Sequence, residues 1–236
     1  MATSKKNTTI KKEALPKTFE DRPFYGLELD PEQLVLANTL LNPDIDIVFV
    51  NAKAGTGKTT IATGVANMLV QHGAFSKIIY IMSPYGEQRQ GWLPGTLTEK
   101  SSVYFEAFYQ ALATCNINPQ VAVSNDSMVN IKTGDAYITC ITDSFLRGSN
   151  FDDAVIILDE AQNCTTRQLK TILTRVGKSV KVIVIGHEFQ CDLKDVRTSG
   201  FIKYLEHFRD EPHAAVCQLL TNHRSWISQH ADELQE

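Results

Sequence analysis

Ile47-Val-Phe-Val-Asn-Ala-Lys-Ala-Gly-Thr-Gly-Lys-Thr-Thr60 is the stretch from which the rest of the chain can be read. Its opening residues are apolar and mostly β-branched, which suits a buried strand. A loop rich in Ala, Gly and Thr follows, and then an apolar-periodic pattern predicts a helix over Lys58–Gln71. Strand, small-residue loop and helix in that order are the context of a P-loop. Small residues let backbone amides turn inward around a phosphate, and the helix N-terminus adds its partial positive charge. Ala54, Gly55, Thr56, Gly57, Lys58, Thr59 and Thr60 are therefore the candidate nucleotide-binding residues. Lys58 is expected to bridge the β- and γ-phosphates, and the Thr59 hydroxyl to ligate Mg²⁺. The pattern departs at its first glycine, which is Ala52 here. Alanine avoids positive φ, so the loop is expected to start with ordinary dihedrals.

Outward from this motif, continuous apolar runs recur at Lys77–Met82, Ala154–Leu158 and Lys181–Ile185, with a weaker one at Ala215–Leu220. Such runs fit strands covered on both faces. Helical patterns at 101–115, 165–176, 200–209 and 225–234 alternate with them. The expectation is an α/β fold: a mostly parallel sheet sandwiched by helices, with right-handed crossovers. The segment Pro84–Ile141 is longer than one crossover needs and reads as an insertion near the site. Phe105, Phe108, Tyr109 and Leu112 within it follow helical spacing and are expected in the core.

The run ending at Leu158 continues into Asp159-Glu160-Ala-Gln162. An apolar strand with this ending delivers two carboxylates to the carboxyl edge of the sheet, where ligands bind in open α/β folds. Asp159 is the expected Mg²⁺ ligand, and Glu160 the group that polarises an attacking water. The competing reading makes both residues caps of the next helix. A small-molecule kinase has no need of a carboxylate beside its magnesium aspartate, so the pair favours hydrolysis of ATP.

The 236 residues carry 23 basic and 27 acidic side chains, a net charge of −4. Residues 1–20 read as a disordered basic tail, with five lysines against two glutamates, and 21–236 as one domain with net charge −7. Bulk positive charge is thus excluded as a means of binding nucleic acid, which leaves a local strip or the tail. No apolar run is long enough to span a bilayer, and the N-terminal lysines are not followed by the apolar stretch of a signal peptide. Cys115, Cys140, Cys164, Cys191 and Cys217 lie at least 24 residues apart. They form no zinc or dithiol motif and read as spectator thiols of a reducing cytoplasm.

Four blocks in order resemble the PhoH-like family of P-loop ATPases, which is related to superfamily 1 helicases. They are Ala54-Gly-Thr-Gly-Lys-Thr59, Gly91-Trp-Leu-Pro-Gly-Thr-Leu-Thr-Glu-Lys100, Ile157-Leu-Asp-Glu-Ala-Gln-Asn163 and Gly186-His-Glu-Phe-Gln-Cys-Asp-Leu193. Leu173–Gly177 and Phe145–Gly148 look like further family positions. The resemblance covers most of the chain and is that of a minimal single-domain version. It implies a RecA-like core with one strand between the P-loop strand and the Asp-Glu strand. It further implies an oligomeric, often hexameric, ring and work on RNA. Gln190 looks like the sensor of the γ-phosphate. His187 stands where the family usually has Asp, which puts that residue's role in doubt.

Gln33, in Leu29-Asp-Pro-Glu-Gln33, precedes the P-loop strand at the distance of the adenine-reading glutamine of helicase-like proteins, and Asp30-Pro31 also reads as a helix start. Tyr25 is a candidate to stack on the base. Hydrolysis needs positive charge on the γ-phosphate, for which Arg175 and Arg224 are the candidates, either of them able to act across a ring interface. For nucleic acid the chain offers Lys77, Arg89, Lys100, Arg147, Lys170 and the tail lysines, with Trp92 and Tyr104 for stacking. The reading that results is an ATP- and Mg²⁺-dependent NTPase coupled to RNA or single-stranded nucleic acid. The alternatives are a module in which ATP locks an oligomer with little turnover, and a small-molecule kinase.

Overall fold

A computed structural model describes residues 15–20, 23–83, 105–124, 136–142 and 150–232. Six strands form one parallel sheet: β1 (Ile47–Ala52), β2 (Lys77–Met82), β3 (Ile138–Thr142), β4 (Ala154–Asp159), β5 (Val180–Gly186) and β6 (Ala214–Leu219). Their order is β3-β2-β4-β5-β1-β6, so β5 alone separates the P-loop strand from the Asp-Glu strand. The helices are α1 (Pro31–Leu41), α2 (Lys58–Gln71), α3 (Glu106–Thr114), α4 (Pro119–Ala122), α5 (Thr166–Leu173), α6 (Phe201–Phe208) and α7 (Trp226–Asp232).

Both faces of the sheet are covered, which is why its strands read as unbroken apolar runs. Val48, Val50, Tyr80, Val155 and Ile157 point to the face packed by Leu36 and Leu40 of α1, Ile61 and Val65 of α2, and Phe108 and Leu112 of α3. Phe49, Ile81, Ile156, Leu158 and Val184 point to the other, against Leu169 of α5 and Phe201 and Leu205 of α6. The closest ring pair among the described residues stacks Tyr80 on Phe108, with ring centroids 4.0 Å apart.

Two expectations need correction. The segment 84–141 is more than an insertion, because it supplies α3, α4 and the edge strand β3. That strand is only partly buried along its length, so Ile138-Thr-Cys-Ile-Thr142 lacks the unbroken apolar character of the central ones. The packed chain also begins before residue 21: Phe19 is buried, its ring meets Phe24 edge-on, and its N–H donates to Asn38 Oδ1 at 3.0 Å. Residues 1–14, the Gly91–Lys100 and Phe145–Gly148 blocks, Arg89, Trp92, Tyr104 and Arg147 lie outside the described residues.

Candidate nucleotide site

The P-loop leaves β1 through Ala52, which is still a strand residue paired with Leu219 of β6, so no positive φ is asked of it. The left-handed positions fall on Gly55 (φ 75°) and Gly57 (φ 78°), where an L side chain would be strained. Gly57 caps α2, so the first turn of that helix presents free N–H groups to the loop. Lys58 Nζ folds over the same loop, 3.4 Å from the Ala52 carbonyl and 3.3 Å from that of Lys53. Thr56 is buried, and its hydroxyl donates to the Lys53 carbonyl at 3.0 Å.

Across β5, Asp159 ends β4 with 3% of its surface exposed. Its Oδ2 accepts from the Thr59 hydroxyl and from the Tyr80 hydroxyl, each at 2.9 Å, while Oδ1 accepts from the Glu160 N–H at 2.9 Å. The Thr59 and Asp159 oxygens that sequence assigns to Mg²⁺ thus converge on one point. A hydroxyl and a carboxylate are the hard oxygen donors that this ion prefers, so the residues fit the group. Burial of Tyr80, with Asp159 beside it, holds its phenol well above the usual range, so it remains a donor.

Glu160 follows in the left-handed region, φ 53° and ψ 38°, an uncommon conformation for a residue with a side chain. Burial first, and the Asp159 carboxylate second, raise its pKa; the Gln162 hydrogen bond and the Lys58 ammonium partly oppose this. Gln162 is the hub of this half. Its Nε2 donates to Glu160 Oε2 at 2.6 Å and to the Gln190 carbonyl at 3.2 Å, and its Oε1 accepts from the His187 N–H at 3.1 Å. Gln162 is 2% exposed. A Cβ on Gly186 would lie 3.0 Å from Gln162 Oε1. Asn51 and Glu188 bind each other across β1 and β5, and Asn163 does the same with Asp192. Gln162 and Asn163 carry no metal or acid–base signature, so sequence gave them no role beyond their place in the motif.

Gln190 follows β5 with its side chain exposed, tied to the site through its carbonyl. Gln33 is buried against the P-loop. Its Nε2 donates to the Thr56 carbonyl at 2.9 Å and its Oε1 accepts from the Asp30 N–H at 3.1 Å, completing a capping box on α1. The amide expected to read adenine therefore braces the loop, and one N–H and one oxygen lone pair stay uncommitted. Tyr25 is half-buried and turned towards α2, its hydroxyl donating to the Gly64 carbonyl at 3.1 Å.

The two arginines part company. Arg175 follows α5, and its carbonyl accepts from the Phe151 N–H at 2.9 Å. Phe151 precedes β4, so Arg175 lies at the amino end of the strands, opposite Asp159. It cannot serve the nucleotide site of its own chain. Arg224 lies on the P-loop: a Cβ on Gly55 would stand 2.8 Å from its Cγ, and the neighbouring His223 N–H donates to the Gly55 carbonyl at 2.9 Å.

None of the five thiols is in a disulfide, and Cys115, Cys164 and Cys217 are buried; burial pushes Cys115 and Cys140 up to about 12. No metal-holding group of His, Cys, Asp and Glu occurs among the described residues. None of their helices is long and apolar enough to cross a membrane.

A model of the family described as PhoH-like protein matches residues 28–231. Protein PhoH2 of Bacillus subtilis is 30% identical over 222 residues, 92% of this chain and 49% of that protein. Protein PhoH of Escherichia coli K12 is 35% identical over 167 residues, 70% of this chain and 45% of that one. A PhoH-like protein of Mycobacterium leprae is 36% identical over 70% of the chain and 46% of its own length. The chain thus spans about half the length of these relatives. Among solved structures, the UvsW helicase of bacteriophage T4 superposes with a TM-score of 0.54 at 13% identity, over 81% of this chain and 60% of that one. The Sulfolobus solfataricus SWI2/SNF2 ATPase core gives 0.51 at 16% identity, over 83% and 46%. These likenesses carry the fold, a RecA-like core with a P-loop at its carboxyl edge.

Proposed function

The chain belongs to the PhoH-like protein family, and on that premise we propose that it is an Mg²⁺-dependent ATPase acting with RNA or another single-stranded nucleic acid. The observation that carries the ATPase reading is the meeting of Thr59, Asp159 and Glu160 beside the P-loop, with Thr59 Oγ1 2.9 Å from Asp159 Oδ2. The loop amides and Lys58 would hold the β- and γ-phosphates. Thr59 and Asp159 would hold Mg²⁺, whose charge would offset that developing on the transferred phosphoryl group. Glu160 would accept a proton from water as the water oxygen bonds to Pγ and the bridging P–O bond breaks, leaving ADP and phosphate. Its raised pKa, caused mainly by burial, brings a carboxylate closer to the strength a general base needs near neutrality.

Arg224 would add positive charge at the γ-phosphate. The nucleic-acid half of the reading draws support from Phe189, 82% exposed on the same edge and available for stacking on a base. We further propose a homo-oligomeric ring, in which Arg175 of one protomer would face its neighbour, and a cytoplasmic setting suited to five cysteines without a disulfide.

The test is phosphate release from ATP and Mg²⁺, with and without single-stranded RNA, beside Glu160→Gln. Release by the wild-type chain, faster with RNA and lost in the variant, is the expected result. Equal release by both chains overturns the role of Glu160, and a rate indifferent to RNA, with no RNA bound in the ATP state, overturns the partner.

A further inference from the structure

After β6 the chain turns back over the P-loop and is caught there by the start of α1. Glu32 Oε2 accepts from two successive backbone N–H groups, Leu220 at 2.7 Å and Thr221 at 3.1 Å. Asp30, the N-cap of α1, meets His223 Nε2 at 2.6 Å through its second carboxylate oxygen. Its first accepts from the Gln33 N–H at 2.8 Å. Hydrogen bonds to an ionised acceptor are the strong ones, and here they hold a segment that belongs to no helix or strand.

The segment fits only because Gly55 lacks a side chain. A Cβ there would fall against Asn222 Oδ1 and within 2.9 Å of Arg224 Cδ. Asn222 Oδ1 in turn accepts from the Arg224 N–H at 2.8 Å, which sets the direction in which that arginine leaves the backbone. The Arg224 side chain is exposed and makes no ion pair among the described residues. α1, the P-loop and residues 220–224 thus form one bonded unit that carries the Arg224 side chain.

We propose that Asp30 and Glu32 are positioning residues, which fix the 220–224 segment across the P-loop so that Arg224 acts on the nucleotide held by its own chain. This rests on the nucleotide-binding reading above but not on turnover. Glu32 touches neither the loop nor the phosphates it would hold, and works through Arg224.

The experiment is a double-mutant cycle on release of a fluorescent ATP analogue (mant-ATP) with Mg²⁺. It compares the wild type, Glu32→Ala, Arg224→Ala and the double variant, each with a thermal melt. Each single variant should release the analogue about tenfold faster, the scale of one lost charge-assisted hydrogen bond. The double variant should be no faster than either single, because both changes remove one interaction. Glu32→Gln, which keeps one acceptor oxygen, should fall between, and it replaces Glu32→Ala if that variant melts early. Glu206→Ala, on α6, should match the wild type.

Unchanged release in the Glu32 variants, or effects that multiply in the double variant, overturns the proposal. A wild-type chain that binds the analogue but never releases phosphate from ATP counts against the ATPase reading and leaves the positioning role standing. Failure to bind the analogue overturns both.

Discussion

On the β1 side of the carboxyl edge the left-handed backbone positions are glycines, Gly55 and Gly57, and the loop is braced by contacts such as Lys58 to Ala52 and Lys53. On the β4 side the left-handed residue is Glu160, and what surrounds it is drawn from distant parts of the chain, Gln162 reaching His187 and Gln190. The first half is a phosphate cradle made by backbone geometry within a dozen residues. The second is a side-chain network that places a strained, half-buried carboxylate beside Asp159. On the proposed mechanism, binding would rest on the first half and proton transfer on the second, so damage to each side should have a different signature.

Glu160→Gln breaks the chemical half most sharply. Turnover should fall by about 10²–10⁴-fold, the scale of general base catalysis, with nucleotide affinity retained. As the proposed base, Glu160 would work only when deprotonated, and its pKa is raised. Turnover should therefore be lost as pH falls through a value above the ordinary glutamate range, and a pH–rate profile checks this. Gly55→Ala attacks the cradle. The φ of 75° and the clash with Asn222 and Arg224 should weaken nucleotide binding by about 10–100-fold, from strain of about 1–3 kcal/mol, measured by titration of the fluorescent analogue.

Gln162→Ala leaves Glu160 in place but removes the amide that joins it to the residues following β5. We expect about tenfold slower turnover, one hydrogen bond to a charged group, with the titrated affinity unchanged. Lys181→Met is the smallest and tests the frame behind both halves. Lys181 is buried at the start of β5, donates to the Asn42 and Ile45 carbonyls, and burial lowers its pKa from 10.5 to about 8. Between those values the unfolded chain binds more protons than the folded one, so Lys181 makes stability rise with pH across that window. The variant should flatten that rise in denaturant melts and leave turnover unaltered.

The same contrast explains what could be read beforehand. β1, β2, β4, β5 and most helices were legible because strands covered on both faces must be continuously apolar. β3 escaped because an edge strand carries Thr139 and Thr142 among its apolar residues. The P-loop was legible to the residue, since glycine is required where φ is positive. Gln162, Tyr80 and Glu32 were not assigned, because an amide, a phenol and a surface carboxylate bear no mark of the partner they will meet. Gln33 was expected to read the base and Tyr25 to stack on it, but sequence did not show that the Gln33 amide also braces Thr56 and Asp30 or that the Tyr25 hydroxyl meets Gly64.

By itself, then, the sequence determined the α/β class, the phosphate cradle and the Asp159–Glu160 pair, all of which follow from local periodicity and local backbone demands. Only the tertiary structure decided which arginine lies beside the P-loop. Arg175 and Arg224 are alike as residues, but one follows a helix that runs back to the amino end of the strands, while the other follows a strand whose carboxyl end leads the chain to Gly55. Direction along a parallel sheet separates them, and that is a property of topology rather than of either side chain.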